Sequence, residues 1–278
     1  MTPRWTSPLT GSQVYEANSR DVAPLFEGRA SLAILDGAYG LSKAAWDKVP
    51  RGGTLADLYQ GHLDDVGRVC AASASLYLWN TSAGWAELHP HILARGWTFR
   101  SLIVWHKTGP NPALISALKA SKWPDVTEVC GHYSRGDKPY HVNDGTSNVW
   151  RFGLVSDLGA ERLLSGQVSR RTFGAPGRQD MQFCEDTLHP CQKPLIFAER
   201  MIRASSRPGD LVWAPFGGTL REMVAAERMA RLDPAEARKV ITCELNLDGR
   251  DYIGAALEQI GAEVREKGGQ VGLFGGAR

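Results

Sequence analysis

Short apolar runs alternate with stretches of helical periodicity in this chain, and that alternation limits the fold more than any other feature. Ala30 to Leu35 is nearly all apolar, short, and suited to an interior strand of a parallel sheet. Leu55, Leu58, Tyr59, Leu63 and Val66 then recur at helical spacing, with Thr54 placed to cap a helix over 54–69. Ser75 to Trp79 reads as the next strand, Trp85 to Ala94 as a helix stopped by Gly96, and Leu102 to Trp105 as a further strand. Such a series predicts an α/β sheet with helices on both faces.

The pattern lapses between Lys107 and Asp186, where Gly, Pro, Asn and Asp punctuate loops. That stretch carries Lys107, Lys138, Arg151, Arg170, Arg171 and Arg178, interleaved with Trp123, Tyr133, Tyr140, Trp150, Phe152 and Phe173. Basic groups among aromatics suit a nucleic-acid surface; a solvated loop surface is the plainer alternative. The net charge of +2 neither demands nor excludes such a partner. Of 32 basic residues only 9 are Lys, and the arginine excess favours forked contacts to phosphate and guanine, although a GC-rich genome produces the same bias. No run approaches the roughly 18 apolar residues of a membrane span. Five cysteines without a CxxC pair, behind a start with no secretory core, predict reduced thiols and a cytoplasmic place near bacterial or phage DNA.

Regularity returns after His189. Leu195 to Ala204 is a helix on spacing with Pro194 in its first turn, Leu211 to Trp213 a buried strand, and a helix follows through Ala230. Val240 to Glu244 is a strand ending in an acid, and Tyr252 to Ile260 a last helix before a glycine-rich tail expected to fray. The unit from Leu211 to Glu244 has the layout of a nucleotide-binding βαβ. Gly217 and Gly218 let the backbone approach a ligand, and Glu244 is placed to bind ribose hydroxyls. Asp36 and Tyr39 stand at the carboxyl end of the first apolar strand, where ligands sit in open α/β sheets; a tight turn with a satisfied Asp is the alternative there.

His189-Pro190-Cys191-Gln192-Lys193-Pro194, then Pro208-Gly209-Asp210, then Pro215-Phe216-Gly217-Gly218-Thr219, then Glu244-Leu245-Asn246, form a specific series. Together with Asp36-Gly37-Ala38-Tyr39 and Trp46-Asp47 upstream, it resembles the DNA amino-methyltransferases, which use S-adenosylmethionine to methylate adenine N6 or cytosine N4. The resemblance spans most of residues 13–260, with the catalytic motif ahead of the cofactor motif as in the beta group. It implies a Rossmann-like class I methyltransferase: a mostly parallel seven-stranded sheet flanked by helices, with an irregular target-recognition insertion. Residues 1–106 would form the catalytic half, 107–186 the insertion with a core strand near 128–134, 187–262 the cofactor half and 263–278 a flexible tail.

The resemblance also implies roles. The substrate would be double-stranded DNA with the target base flipped out. Asp36 and the Gly37 carbonyl would accept from its amine, and Tyr39 would stack on it, with Ala38 completing the motif. Asn18, Asp36, His189, Gln192, Lys193, Pro194, Ala214, Pro215, Phe216, Gly217, Gly218, Thr219, Glu244 and Asn246 would surround the cofactor, and no metal is required. A homodimer or a partner methyltransferase subunit is compatible with the family. An Asp opening the catalytic motif leans toward adenine.

Four positions depart from the family pattern. Its Pro-Pro is Gly37-Ala38, the acid before Pro-Phe is Ala214, the upstream Gly-Asp is Ala17-Asn18, and the turn continues Gly218-Thr219-Leu220-Arg221-Glu222. These changes leave open a non-catalytic DNA-binding subunit on the same scaffold, or an enzyme for another substrate.

Overall fold

The computed structural model describes residues 1–42, 47–108, 123, 126–136, 140–142, 145–153, 192–247, 249 and 251–270. Its centre is β3 (Ala30–Leu35), followed by α2 (Leu55–Val69) and β4 (Cys70–Asn80). Two edge strands, β1 (Trp5–Thr6) and β2 (Gln13–Glu16), and the short α1 (Ser19–Val22) precede them. Then come α3 (Ser82–Leu93), β5 (Thr98–Thr108), β6 (Thr127–Arg135) and β7 (Val149–Gly153). The chain closes with α4 (Leu195–Ser205), β8 (Leu211–Ala214), α5 (Arg221–Leu232), β9 (Lys239–Glu244) and α6 (Tyr252–Gln270).

All strands join one sheet in the order β1-β2-β9-β8-β3-β4-β6-β5-β7. The expected seven strands are its middle, from β2 to β5, and the structure adds a short strand at each edge. Pairing is parallel from β2 through β4 and between β5 and β7; β6 runs antiparallel to both β4 and β5, and β1 antiparallel to β2.

Side-chain alternation explains the two covered faces. Leu32, Ile34, Val212 and Ala214 point to a core shared with α4, α5 and α6. Ala33, Leu35, Leu211 and Trp213 point to a second core under α2 and α3. Burying each large apolar side chain contributes roughly 1.5–3 kcal/mol, so both faces are strongly held. Helix α2 starts at Thr54, the expected cap, and the structure adds a reciprocal capping box with Asp57. Several strands outrun their sequence limits: β4 begins at Cys70, because Ala30 pairs with Cys70 across the ladder although the run Cys70-Ala71-Ala72-Ser73 has little strand character. Pro194 sits at the N-cap of α4 and not inside its first turn. Helix α6 continues to Gln270, into the tail expected to fray, because Ala262 to Lys267 are good helix formers.

One topological feature positions the site. From β3 the chain crosses by α2 to β4 on one side, and from β8 it crosses by α5 to β9 on the other. The carboxyl ends of neighbouring β3 and β8 therefore flank a switch point, where open α/β sheets bind ligands.

Candidate active site

A cavity of about 280 Å³ lies at that point. Its wall includes Asp36 to Tyr39 after β3, Pro215 to Thr219 after β8, and Glu244 at the end of β9. Asn18, Gln192 and Lys193 complete the predicted members of the wall. Three predicted residues stand elsewhere. Ala214 shares the face of Val212, two residues earlier, and is packed into the core. Pro194 is spent on the start of α4, and Asn246 turns its amide to Glu16 at 3.2 Å. His189 and Trp46 lie outside the described residues.

The catalytic arm is held from behind by one buried carboxylate. Asp47 Oδ1 accepts the N–H groups of Tyr39 (2.6 Å) and Gly40 (2.9 Å), and Oδ2 accepts that of Leu41 (3.1 Å). This clamp supplies rigidity that the missing prolines would have given. Gly37 has a packing reason: a Cβ there would meet the Tyr59 hydroxyl at 2.7 Å and the Phe216 ring at 2.8 Å. Gly37→Pro, which brings back the family's residue, should therefore destabilise the fold by about 1–3 kcal/mol in urea unfolding.

In front of the arm is a charge network. Lys193 Nζ lies 2.8 Å from Asp36 Oδ1 and 3.2 Å from Glu128 Oε2, and Lys107 Nζ lies 2.6 Å from Glu128 Oε1. The Tyr39 hydroxyl reaches Asp36 Oδ1 at 3.2 Å and Glu128 Oε2 at 2.9 Å and shares its proton between them. Lys193 also stands 5.0 Å from the centre of the Tyr39 ring, a cation–π contact that pins one face. Burial pushes the Asp36 carboxyl up, opposed by the Lys193 ammonium in contact with it. Glu128 resists its burial and is drawn down to about 2 by Lys193 and Lys107. Burial raises the Tyr39 phenol well above its ordinary value, so Tyr39 remains a donor.

The other end of the cavity is shaped by backbone. Gly218, at φ +48, donates its N–H to Glu244 Oε2 at 2.6 Å, while Leu245 and Asn246 donate to Oε1 at 3.0 and 2.9 Å. A carboxylate offers about four acceptor sites, so Glu244 keeps capacity for a hydroxyl. Phe216 forms the apolar wall between the two ends, with His62 edge-on at 4.7 Å and Tyr59 at 5.8 Å. Apolar walls, a glycine turn and an acid at the strand end fit an adenosine and its ribose.

Sequence reasoning missed Leu58 and Tyr59, which read as an ordinary helix face, His62 on the same helix, and Glu222, named only in the turn that departs from the family pattern. It also missed Glu128, whose approach depends on the antiparallel docking of β6. Lys107, expected on the DNA surface, is instead largely buried against Glu128, since an ammonium at the end of β5 lies beside that carboxylate. Arg151 is exposed on β7, at the sheet edge. Lys138, Arg170, Arg171 and Arg178 lie outside the described residues.

A family model described as DNA methylase, covering N6 and N4 methyltransferases, matches residues 30–261. The chain belongs to the DNA methylase family. As such it is an S-adenosylmethionine-dependent DNA amino-methyltransferase of class I fold. Type II methyltransferase M1.MboII of Moraxella bovis is 23% identical over 90% of this chain and 97% of its own length. DNA adenine methyltransferase YhdJ of Escherichia coli K12 is 28% identical over 60% of this methylase and 41% of its own length. Among solved structures, PvuII DNA methyltransferase, described as cytosine-N4-specific, superposes with a TM-score of 0.66 at 17% identity, over 92% of this chain and 87% of its own. The M1.HpyAVI complex with S-adenosylmethionine superposes with a TM-score of 0.57 at 16% identity, over 89% and 98%. Among the described residues, no helix of this methylase is long and apolar enough to cross a membrane.

Proposed function

We propose that the protein methylates the exocyclic amine of a base flipped out of duplex DNA, with adenine N6 as the favoured target. The observation that carries this reading is the meeting of Asp36 and Tyr39 with the Gly217–Gly218 turn and Glu244 around one cavity. The Asp36 carboxylate, held by Lys193, accepts a hydrogen of the amine and concentrates electron density on its nitrogen. The Gly37 carbonyl accepts the other. The Tyr39 ring, fixed at its hydroxyl and on one face, is a platform for the extruded base. Glu244 receives the ribose and Phe216 bounds the cofactor site. Bound S-adenosylmethionine supplies the electrophilic methyl group; the protein supplies alignment and electrostatics.

The Asp that opens the motif supports adenine, as does the similarity to the DNA adenine methyltransferase YhdJ. Base-resolved mapping of DNA from cells producing the full chain tests the reading. N6-methyladenine in one sequence context is expected; N4-methylcytosine would move the target to the runner-up base, and unmodified DNA would contradict the reading. DNA contact has a separate test. Arg151→Ala should weaken binding to all sequences alike and lower the salt slope by about one in a titration against ionic strength.

A further inference from the structure

Four carboxyl side chains line the cavity: Asp36, Asp47, Glu222 and Glu244. Three are engaged. Asp36 is paired with Lys193, Asp47 takes the three N–H groups of the arm, and Glu244 takes those of residues 218, 245 and 246. Glu222 differs. It stands in the first turn of α5, it is only 8% exposed, and among the described residues no basic side chain pairs with it. A buried carboxyl without a cation is costly, and a neutral helix former would fit α5 without that cost. Its place in the wall of the cavity points to a ligand.

The sign of that ligand follows from the acid. The cofactor of this family carries a sulfonium and an ammonium at its methionine end. The family's acid for this region is absent at position 214, where Ala214 is sealed in the core. We propose that Glu222 is the carboxylate that receives the positive charge of the cofactor's methionine end, taking over from the missing acid. The inference rests on placing S-adenosylmethionine in this cavity.

Burial holds the Glu222 carboxyl up at about 7, opposed by a hydrogen bond from its own backbone N–H and by Lys193 ahead of α4 and Arg221 on α5 itself, and aided by Asp36 at the end of β3. Of the other ionisable groups on the wall, Asp47 and Glu244 are satisfied by backbone N–H groups, and burial keeps His62 of α2 neutral, down at about 4. Tyr39 and Tyr59 are held protonated by burial. Glu222 is thus neutral below about pH 7 and ionised above it, and a cation that binds beside it expels its proton.

Calorimetry on the full chain at pH 6 and pH 8 tests this, with S-adenosylmethionine and S-adenosylhomocysteine as ligands. The parent's affinity for S-adenosylmethionine should rise about tenfold between the two, the ratio expected for one group titrating near 7. Glu222→Gln should lose that rise and bind about tenfold more weakly at pH 8. A loss confined to S-adenosylmethionine assigns the contact to the sulfonium, and an equal loss for both ligands assigns it to the ammonium; both support the proposal. Glu222→Gln that binds as tightly as the parent, with the same pH profile, overturns it. Phe216→Ala, which removes the apolar wall, should weaken both ligands. A parent that binds neither, or a Phe216→Ala protein that binds both unchanged, overturns the placement of the cofactor itself. Unfolding at pH 8 checks that the Gln variant is intact: it should melt no lower than the parent, since it removes an unpaired buried charge.

Discussion

Asp36→Ala is expected to lower the single-turnover rate of methyl transfer by about 10²–10³-fold, while S-adenosylmethionine binding changes little. That magnitude is typical when one preorganised polar group that stabilises developing charge is removed. The amine gains positive charge as its nitrogen attacks, and the Asp36 carboxylate at the tip of β3 is placed to stabilise that change. The variant should fold, because Lys193 keeps Glu128 at 3.2 Å as its counterion after Asp36 is gone. Chemistry is separated from binding by measuring rapid-quench rates at saturating cofactor and DNA. A variant within about threefold of the parent would remove Asp36 from the chemical step.

Lys193→Met should destabilise the fold by about 3–5 kcal/mol at pH 7, the usual result of removing one partner from a buried ion pair. Lys193 is 7% exposed in its side chain and contacts both Asp36 and Glu128. Methionine fills similar volume, so the loss is electrostatic. Its pH dependence follows from sign. Glu128 is held at about 2, below the ordinary 4.5, so its pairing contributes stability above pH 4.5 that fades as the pH falls toward 2. Without Lys193, the Asp36 carboxyl loses the charge that opposes its burial and rises further. The gap between variant and parent should therefore be widest near neutrality and narrow as the pH falls from 4.5 toward 2 in urea titrations. An unchanged melting profile would show that the two carboxylates do not need this ammonium.

The parts of the fold legible in the sequence are those where local preference and tertiary placement agree. The cap at Thr54 and the run from Ala30 to Leu35 each fix an element without help from elsewhere. The two motif turns were legible because glycine and proline carry their own conformational signature, and both reach one cavity. What stayed hidden depends on pairing across the sheet. Nothing local to Glu128 distinguishes it from any strand acid; only the antiparallel register of β6 brings it to Lys193 and Tyr39. Gly37 looked like a loss of stiffness, whereas Tyr59 and Phe216 leave no room for a side chain there. Lys107 carried the composition of a DNA surface, yet its partner was a buried carboxylate.

Lys107 closes β5 and Lys193 precedes α4, so the chain that departs at one and returns at the other begins and ends on Glu128. Two ammonium groups far apart in the sequence thus meet on one buried carboxylate. Loss of either ammonium from Glu128 alters the field at Asp36, because Lys193 is shared between the two carboxylates. The ammonium that holds Asp36 is thus itself anchored by a carboxylate whose second support, Lys107, comes from a distant part of the sequence.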